Sequence, residues 1–252
     1  MTLQQIAAQH GLAASAQPFA GPLYAQVAAI LRGKICSSEW KSTAPLPNEA
    51  TLAKDIGVSV GTVRKALEML EDERLIQRRQ GRGTFVVEIS EDTELERFSK
   101  LVAGGKKLKA DPARMSAAID IAGTEERVRL GLAAEEKIIR FESVWTAPGG
   151  FRAWERISVS AARFPGLENH DIMSGQFLFP LYRRHYNIVI NKVAEQVSCL
   201  NADEILSHKL GVRKDQAVMR IDRVARAMSV GPVEWSVRHA FMPDACYAVS
   251  MS

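Results

Sequence analysis

The chain has little of what export, membrane insertion or metal chemistry requires. Among 252 residues there are three cysteines, Cys36, Cys199 and Cys246, odd in number and far apart. That pattern fits neither a disulfide framework nor a zinc site with paired ligands, so three reduced thiols in a cytoplasmic protein are expected. No stretch approaches about 18 uninterrupted apolar residues, and Met1 to Ala20 lack a basic start followed by a long apolar run. Neither export nor membrane association is expected. The five histidines are scattered, and there is no Gly-x-Ser-x-Gly, phosphate loop or paired metal-ligand motif. These gaps argue against an enzyme and against a bound metal or cofactor. A strong excess of one charge is missing too: 33 Lys+Arg against 29 Asp+Glu leave a net charge of +4, compatible with a polyanionic partner without demanding one.

What remains is an ordinary globular composition, 46% hydrophobic and 25% charged, able to bury a proper core. The length favours two domains. Residues 1–21, rich in Ala and Gln, read as a weakly ordered arm; 22–88 as a small helical domain with a hairpin; 89–104 as an acidic, then Gly-containing linker; and 105–252 as a second domain. The fold class is α+β. The second domain carries strand patterns at 138–145, 153–160, 188–197, 218–227 and 233–241, and helical patterns at 124–130, 177–186 and 202–210, which implies a mostly antiparallel sheet. No internal repeat is visible.

In the first domain, Leu23, Val27, Ile30, Leu31 and Ile35 recur at helical spacing and predict a helix over Leu23 to Cys36. Asn48 is placed to cap a helix from Glu49 to Ile56, which Gly57 ends in the left-handed conformation. Ser59 then caps a third helix whose apolar arc is Val63, Ala66, Leu67 and Leu70. Helix, tight turn, helix is the signature of a DNA-reading motif. The opposite arc holds Gly61, Thr62, Arg64 and Lys65 in the turns that meet base edges and phosphates when such a helix enters a major groove. Ser59 and Thr62 are suited to fixing register on the phosphate backbone. Taken alone these residues also fit a solvated charged face. The hairpin that follows tips the balance: strands over 75–79 and 84–87 flank Gln80-Gly81-Arg82-Gly83, where two glycines allow positive backbone dihedrals and Arg82 is free to enter a narrow minor groove. Arg78 and Arg79 either join it or anchor the hairpin to Glu71, Asp72 and Glu73.

These pieces together resemble the winged helix-turn-helix of the GntR family of bacterial regulators over about residues 22–87. The motifs are Pro22-Leu23-Tyr24, Leu46-Pro47-Asn48-Glu49, Leu52-Ala53, Gly57-Val58-Ser59, Thr62-Val63-Arg64-Lys65-Ala66-Leu67, Leu70 and Gln80-Gly81-Arg82-Gly83-Thr84-Phe85-Val86. Ala50 and Val60 stand where the family commonly has arginines, which changes the operator sequence rather than the mode of binding. The second region is similar to the UTRA effector domain of the HutC subfamily, with its chorismate lyase-like fold, through Arg129-Leu130-Gly131-Leu132, Ile139-Arg140, Glu155, Phe164-Pro165-Gly166-Leu167, Leu181-Tyr182, Leu210-Gly211-Val212, Ile221-Asp222-Arg223 and Gly231-Pro232-Val233-Glu234.

The resemblance implies a homodimeric transcription regulator, by default a repressor, which binds double-stranded DNA at a palindromic operator and responds to a small-molecule effector. It implies effector contacts by Arg140, Glu155 and Glu234. Strand alternation independently puts Glu155 on the face of Ala153, Ile157 and Val159, where a carboxylate needs a partner. Arg140, Glu142 and Val144 share a face of one strand, and Glu234, Ser236 and Arg238 a face of another. Converging in one cavity these charges would hold a polar metabolite; the alternative is that Arg140 pairs structurally with Glu155 or Glu142 and that Glu234 faces solvent. Glu142 and Phe177 stand where sugar-phosphate-sensing members carry Arg and Ser, which points to an aromatic or amine-bearing effector. The candidate effector set is Arg140, Glu142, Glu155, Phe177, Glu234 and Arg238.

Overall fold

The computed structural model describes residues 21–37, 39–87, 95, 97–170, 177–227 and 230–249. The expected arm over residues 1–21, Gly21 apart, and the first part of the expected linker lie outside them. The chain divides into two compact units: residues 1–89 together with Arg183–Val189, and Ser90–Tyr182 together with Ile190–Ser252.

The first unit contains α1 (Leu23–Cys36), α2 (Glu49–Ile56), α3 (Val60–Asp72) and a hairpin of β1 (Ile76–Arg79) and β2 (Gly83–Val86). Each boundary has a local cause. The Asn48 side chain accepts from the Thr51 amide at 2.8 Å, and Gly57 closes α2 at φ 76°. The Ser59 hydroxyl accepts from the Thr62 amide at 3.1 Å and starts α3 two residues later. Val27, Leu31, Leu52, Ile56, Val63, Leu67, Leu70, Leu75 and Val86 meet in one core. Burying each such side chain is worth about 1.5–3 kcal/mol, enough to hold elements this short. A buried pair adds direction: Arg32 of α1 donates to both carboxylate oxygens of Glu73, at 2.8 and 2.5 Å, and locks α1 to the end of α3. The hairpin is tied to the segment before α2, where the Leu46 amide donates to the Thr84 carbonyl at 2.7 Å.

The second unit is built on a six-stranded antiparallel sheet. In chain order its elements are β3 (Leu101–Ala103), β4 (Lys106–Lys107), β5 (Asp111–Ile121), α4 (Thr124–Leu130), β6 (Lys137–Ala147), β7 (Phe151–Ser160), the first half of α5 (Phe179–Tyr186, of which the residues from Arg183 on are counted with the first unit), β8 (Ile190–Asn201), α6 (Glu204–Leu210), β9 (Ala217–Ala227), β10 (Gly231–Phe241) and β11 (Ala245–Tyr247). The strand order is β5-β6-β7-β10-β9-β8, and a second sheet has the order β11-β3-β4. Thus β3 lies inside the stretch 89–104 read from sequence as linker.

The order is that of a duplicated unit, strand-helix-strand-strand, used twice and joined through β7 and β10. The correspondence is close in the turns. Gly131 and Gly211 end α4 and α6 at φ 66° and 64°, and Glu135 and Asp215 follow at φ 64° and 63°. The amides of Ala122 and Ala202 donate to the carbonyls of Glu136 and Gln216 at 2.9 and 2.8 Å. Each pair is 80 residues apart. The expectation of no internal repeat is therefore corrected. The likeness also extends into the strands, where Arg140, Glu142 and Val144 of β6 are matched 80 residues on by Arg220, Asp222 and Val224 of β9.

Candidate nucleic-acid interface and effector site

On α3, Val63, Ala66, Leu67 and Leu70 are buried and Gly61, Arg64 and Lys65 are exposed, as the helical period requires. Ser59 is exposed and Thr62 half-buried at the helix start, their hydroxyls 2.8 Å apart. Arg64 donates to Glu49 from Nε and from Nη2, at 3.0 and 2.9 Å, and Glu49 raises its pKa chiefly through these bonds. Glu49, which the sequence reading passed over, also lies 4.0 Å from the Arg78 guanidinium, so α3 and β1 present their cations in one neighbourhood. Arg78 itself reaches Glu71 at 3.5 Å, and the Arg79 guanidinium lies over the Phe85 ring at 4.7 Å. These two arginines have anchoring contacts.

Gln80, Gly81, Arg82 and Gly83 form the exposed tip. Gly81 and Gly83 have φ 69° and 103°, and a Cβ on Gly83 would come within 3.3 Å of the Pro45 side chain. Both glycines are therefore required by the turn itself. Gly61 is different. Its φ is ordinary, and a Cβ there would meet only the Ser59 hydroxyl oxygen at 3.8 Å, so the fold does not ask for glycine at this position.

In the second unit, pairing register assigns every side chain to a face, and the candidates separate. Arg140 donates to Glu126 of α4 from Nε and from Nη2, both at 2.7 Å, and also to Asp120. The Ser158 hydroxyl and the Gly123 amide complete the Glu126 shell at 2.9 and 2.7 Å. Burial opposes ionisation of Glu126, but the Arg140, Gly123 and Ser158 hydrogen bonds outweigh it and hold the carboxyl below its usual range. Glu142 accepts from Arg156 and from Lys209 of α6, both at 2.8 Å. Arg140 and Glu142 thus belong to the face that carries α4 and α6, where they pair with Glu126 and Lys209.

Glu155, Glu234, Ser236 and Arg238 occupy the opposite face and are all buried. Arg238 donates from Nη2 to Glu155 at 2.7 Å. The Tyr182 hydroxyl donates to Glu234 at 2.7 Å. Arg223 pairs with Glu195 at 2.5 Å, the Tyr247 hydroxyl donates to the other Glu195 oxygen at 2.5 Å, and the Phe177 ring covers Arg223 with 5.4 Å from guanidinium to ring centre. Burial pushes the Glu234 carboxyl up to about 7 against the opposing Tyr182 bond, with the nearby Glu155 charge adding to the rise. So Glu155, Phe177, Glu234 and Arg238 are brought together, while Arg140 and Glu142 are not among them. Tyr182, Arg223, Glu195 and Tyr247 were missed. Arg223 carried the same signal as Glu155, a charge alternating with Ile221 and Ala225 on an apolar face; the other three reach the site through register and packing alone.

A compact helical module with an exposed cationic helix start and an arginine-tipped hairpin, in one chain with a sheet domain holding a buried polar cluster, defines a DNA-binding regulator with a sensor domain. The comparisons give the family. Residues 23–86 match the model of the bacterial regulatory proteins of the gntR family, and residues 115–240, half of the chain, match the UTRA domain. The chain belongs to the GntR-type transcription regulators with a UTRA effector-binding domain. It is 25% identical over 223 residues to the HTH-type transcriptional regulator SmoD of Agrobacterium fabrum, covering 85% of this chain and 91% of that protein. It is 27% identical over 209 residues to the HTH-type transcriptional repressor NagR of Bacillus subtilis, covering 80% and 83%. Among solved structures, YydK of Bacillus subtilis superposes with a TM-score of 0.51 at 18% identity over 92% of this chain and all of that one. The ligand-binding domain of a GntR-family regulator from Bordetella bronchiseptica gives 0.56 at 17% identity over 62% of this chain and 98% of that one. These structural likenesses establish the fold. The protein is a DNA-binding regulator and not an enzyme, and no helix among the described residues is long and apolar enough to cross a membrane.

Proposed function

We propose that the protein is a cytoplasmic homodimeric repressor that binds a palindromic operator and is released from it by a small effector held between the sheet and its covering elements in the second unit. The observation that carries the DNA half is Gly61: the fold accepts a side chain there, yet the helix start presents bare backbone beside Arg64, which suits close approach of a phosphate or base edge. Ser59, Thr62, Arg64 and Lys65 act from the helix, and Gln80, Gly81, Arg82 and Gly83 from the wing. A two-fold dimer would set two such helices about 34 Å apart, one helical turn of DNA.

The effector half rests on Glu155, Phe177, Glu234 and Arg238, with Arg223 and Tyr182 beside them. In this reading Arg140 and Glu142 serve the effector indirectly, by fixing β6 against the helices. The working division is 22–88 for the DNA-reading module and 105–252 for the sensor, connected within 89–104 before β3 begins. Gel-shift titration of the DNA upstream of the gene is the direct test. Tight binding to a two-fold symmetric segment, weakened by a metabolite, is the expected result; equal affinity for unrelated DNA at physiological salt would remove the operator reading.

A further inference from the structure

On the face opposite α4 and α6, the strands β7, β10, β9 and β8 carry three carboxylates, Glu155, Glu195 and Glu234, and two guanidiniums, Arg223 and Arg238. The pairing uses up all but one. Arg238 takes Glu155 and Arg223 takes Glu195. Glu234, 3% exposed, is left with the neutral Tyr182 hydroxyl and has no cation within ion-pair distance among the described residues. A buried carboxylate without a counter-charge is costly: the group is held neutral at lower pH and, once ionised, calls for a charge supplied from elsewhere. The same strand holds the complementary defect. Arg238 Nε is fully buried and has no acceptor, although Nη2 of the same group is bonded to Glu155. One face therefore shows an unmatched anion and an unmatched donor, four residues apart on β10.

Resting on the effector reading above, we propose that the effector is a small amphoteric metabolite whose basic nitrogen pairs with Glu234 and whose carboxylate or carbonyl oxygen accepts from Arg238 Nε. A phosphate ester is the wrong complement, because it would add charge beside the unmatched Glu234 while both guanidiniums are already engaged by carboxylates. The aromatic Phe177 ring over Arg223 closes the same region with an apolar surface, which suits the carbon frame of such a molecule. Four strand residues span about 13 Å of backbone, so a ligand with its two groups separated by several carbons fits better than one with both on a single carbon.

The test is a thermal-shift series on the full chain at about pH 8, where Glu234 is ionised, with 4-aminobutyrate, L-arginine, L-histidine, glucose 6-phosphate and inorganic phosphate as probes at about 10 mM. At least one of the three amphoteric probes is expected to raise Tm by about 3 °C or more, with neither phosphate doing so. Two variants locate the effect. Glu234→Gln keeps the Tyr182 hydrogen bond, and Arg238→Lys keeps a cation beside Glu155 while removing Nε; each should fold and each should lose the shift. Stabilisation by glucose 6-phosphate that disappears in Arg238→Lys would overturn the amphoteric class and leave the site standing. A shift that survives both substitutions would overturn class and site together. A panel in which no amphoteric probe moves Tm also defeats the proposal.

Discussion

The two units place their working charges in opposite environments. In the winged helix the Arg64 side chain is 59% exposed and borrows a surface carboxylate, Glu49, that itself is partly in water. In the sheet domain the Arg238 and Glu155 side chains are 9% and 4% exposed and face each other across two strands. A surface pair of the first kind contributes little to stability, because water screens it and two long side chains must be ordered. Arg64 is thus available to exchange Glu49 for a phosphate at small cost. A buried pair of the second kind cannot be opened cheaply, since either partner left alone keeps its desolvation penalty. On the proposed sites, DNA binding would use charges the fold does not need, while ligand binding would use a face whose charges the fold has already committed, with only Glu234 and Arg238 Nε left over.

The sharpest break of this contrast is Arg238→Ala. Leaving Glu155 buried without its guanidinium should cost about 3–5 kcal/mol of unfolding free energy, read by urea denaturation of the full chain. A loss below about 1 kcal/mol would mean that the pair is solvated after all.

Next in size is the pH dependence carried by Glu234, which faces Glu155, Tyr182, Arg223 and Arg238. Its folded pKa of about 7 lies above the ordinary value of 4.5, so the unfolded chain ionises first as pH rises. The stability this group provides is complete below about pH 4.5 and is lost by the time pH has passed about 7. Glu234→Gln removes that slope, and the variant should gain on the parent as pH rises through this window, by up to roughly 3 kcal/mol above it. Parallel stability curves from pH 5 to 8 would contradict the unmatched-anion assignment.

Arg64→Ala should weaken operator binding by about 1–3 kcal/mol if it reads a base, with the unfolding midpoint unchanged. If Arg64 touches only phosphate, the loss should be the same on all sequences and the salt slope should fall by about 1. The smallest effect is at Gly61. Gly61→Ala should leave the fold intact or stabilise it by at most about 1 kcal/mol, because alanine is the better helix former and the site is open. Operator affinity should nonetheless drop; an unchanged affinity would show that the helix start is not closely approached.

How much of this was legible beforehand differs between the units for a physical reason. The limits of α1 and α2 and the start of α3 coincide with the expected ones because caps such as Asn48, Gly57 and Ser59 act within three residues, and a helix carries its own period. In the sheet, β6, β7, β9 and β10 extend the expected strands by no more than two residues at either end. β5 was not anticipated, since Ala117, Ala118, Ile119 and Asp120 show neither alternation nor a strong β preference. It exists because β6 offers it a ladder, with Ala117 opposite Phe141.

The local chemistry of the chain settles where helices begin and end, which arc of α3 is apolar, and that an arginine rides on a glycine-framed turn. Those features depend on neighbours three or four residues away. Alternation also says that Arg140, Glu155 and Glu234 each lie on a definite side of their own strands, but not whether those sides are the same side. Only the pairing of β6 with β7 and of β7 with β10 decides that, because register couples residues from distant parts of the chain, and a shift of one position would exchange the two faces. Tertiary structure alone therefore sends Arg140 to Glu126 and leaves Glu234 in the core without a counter-charge.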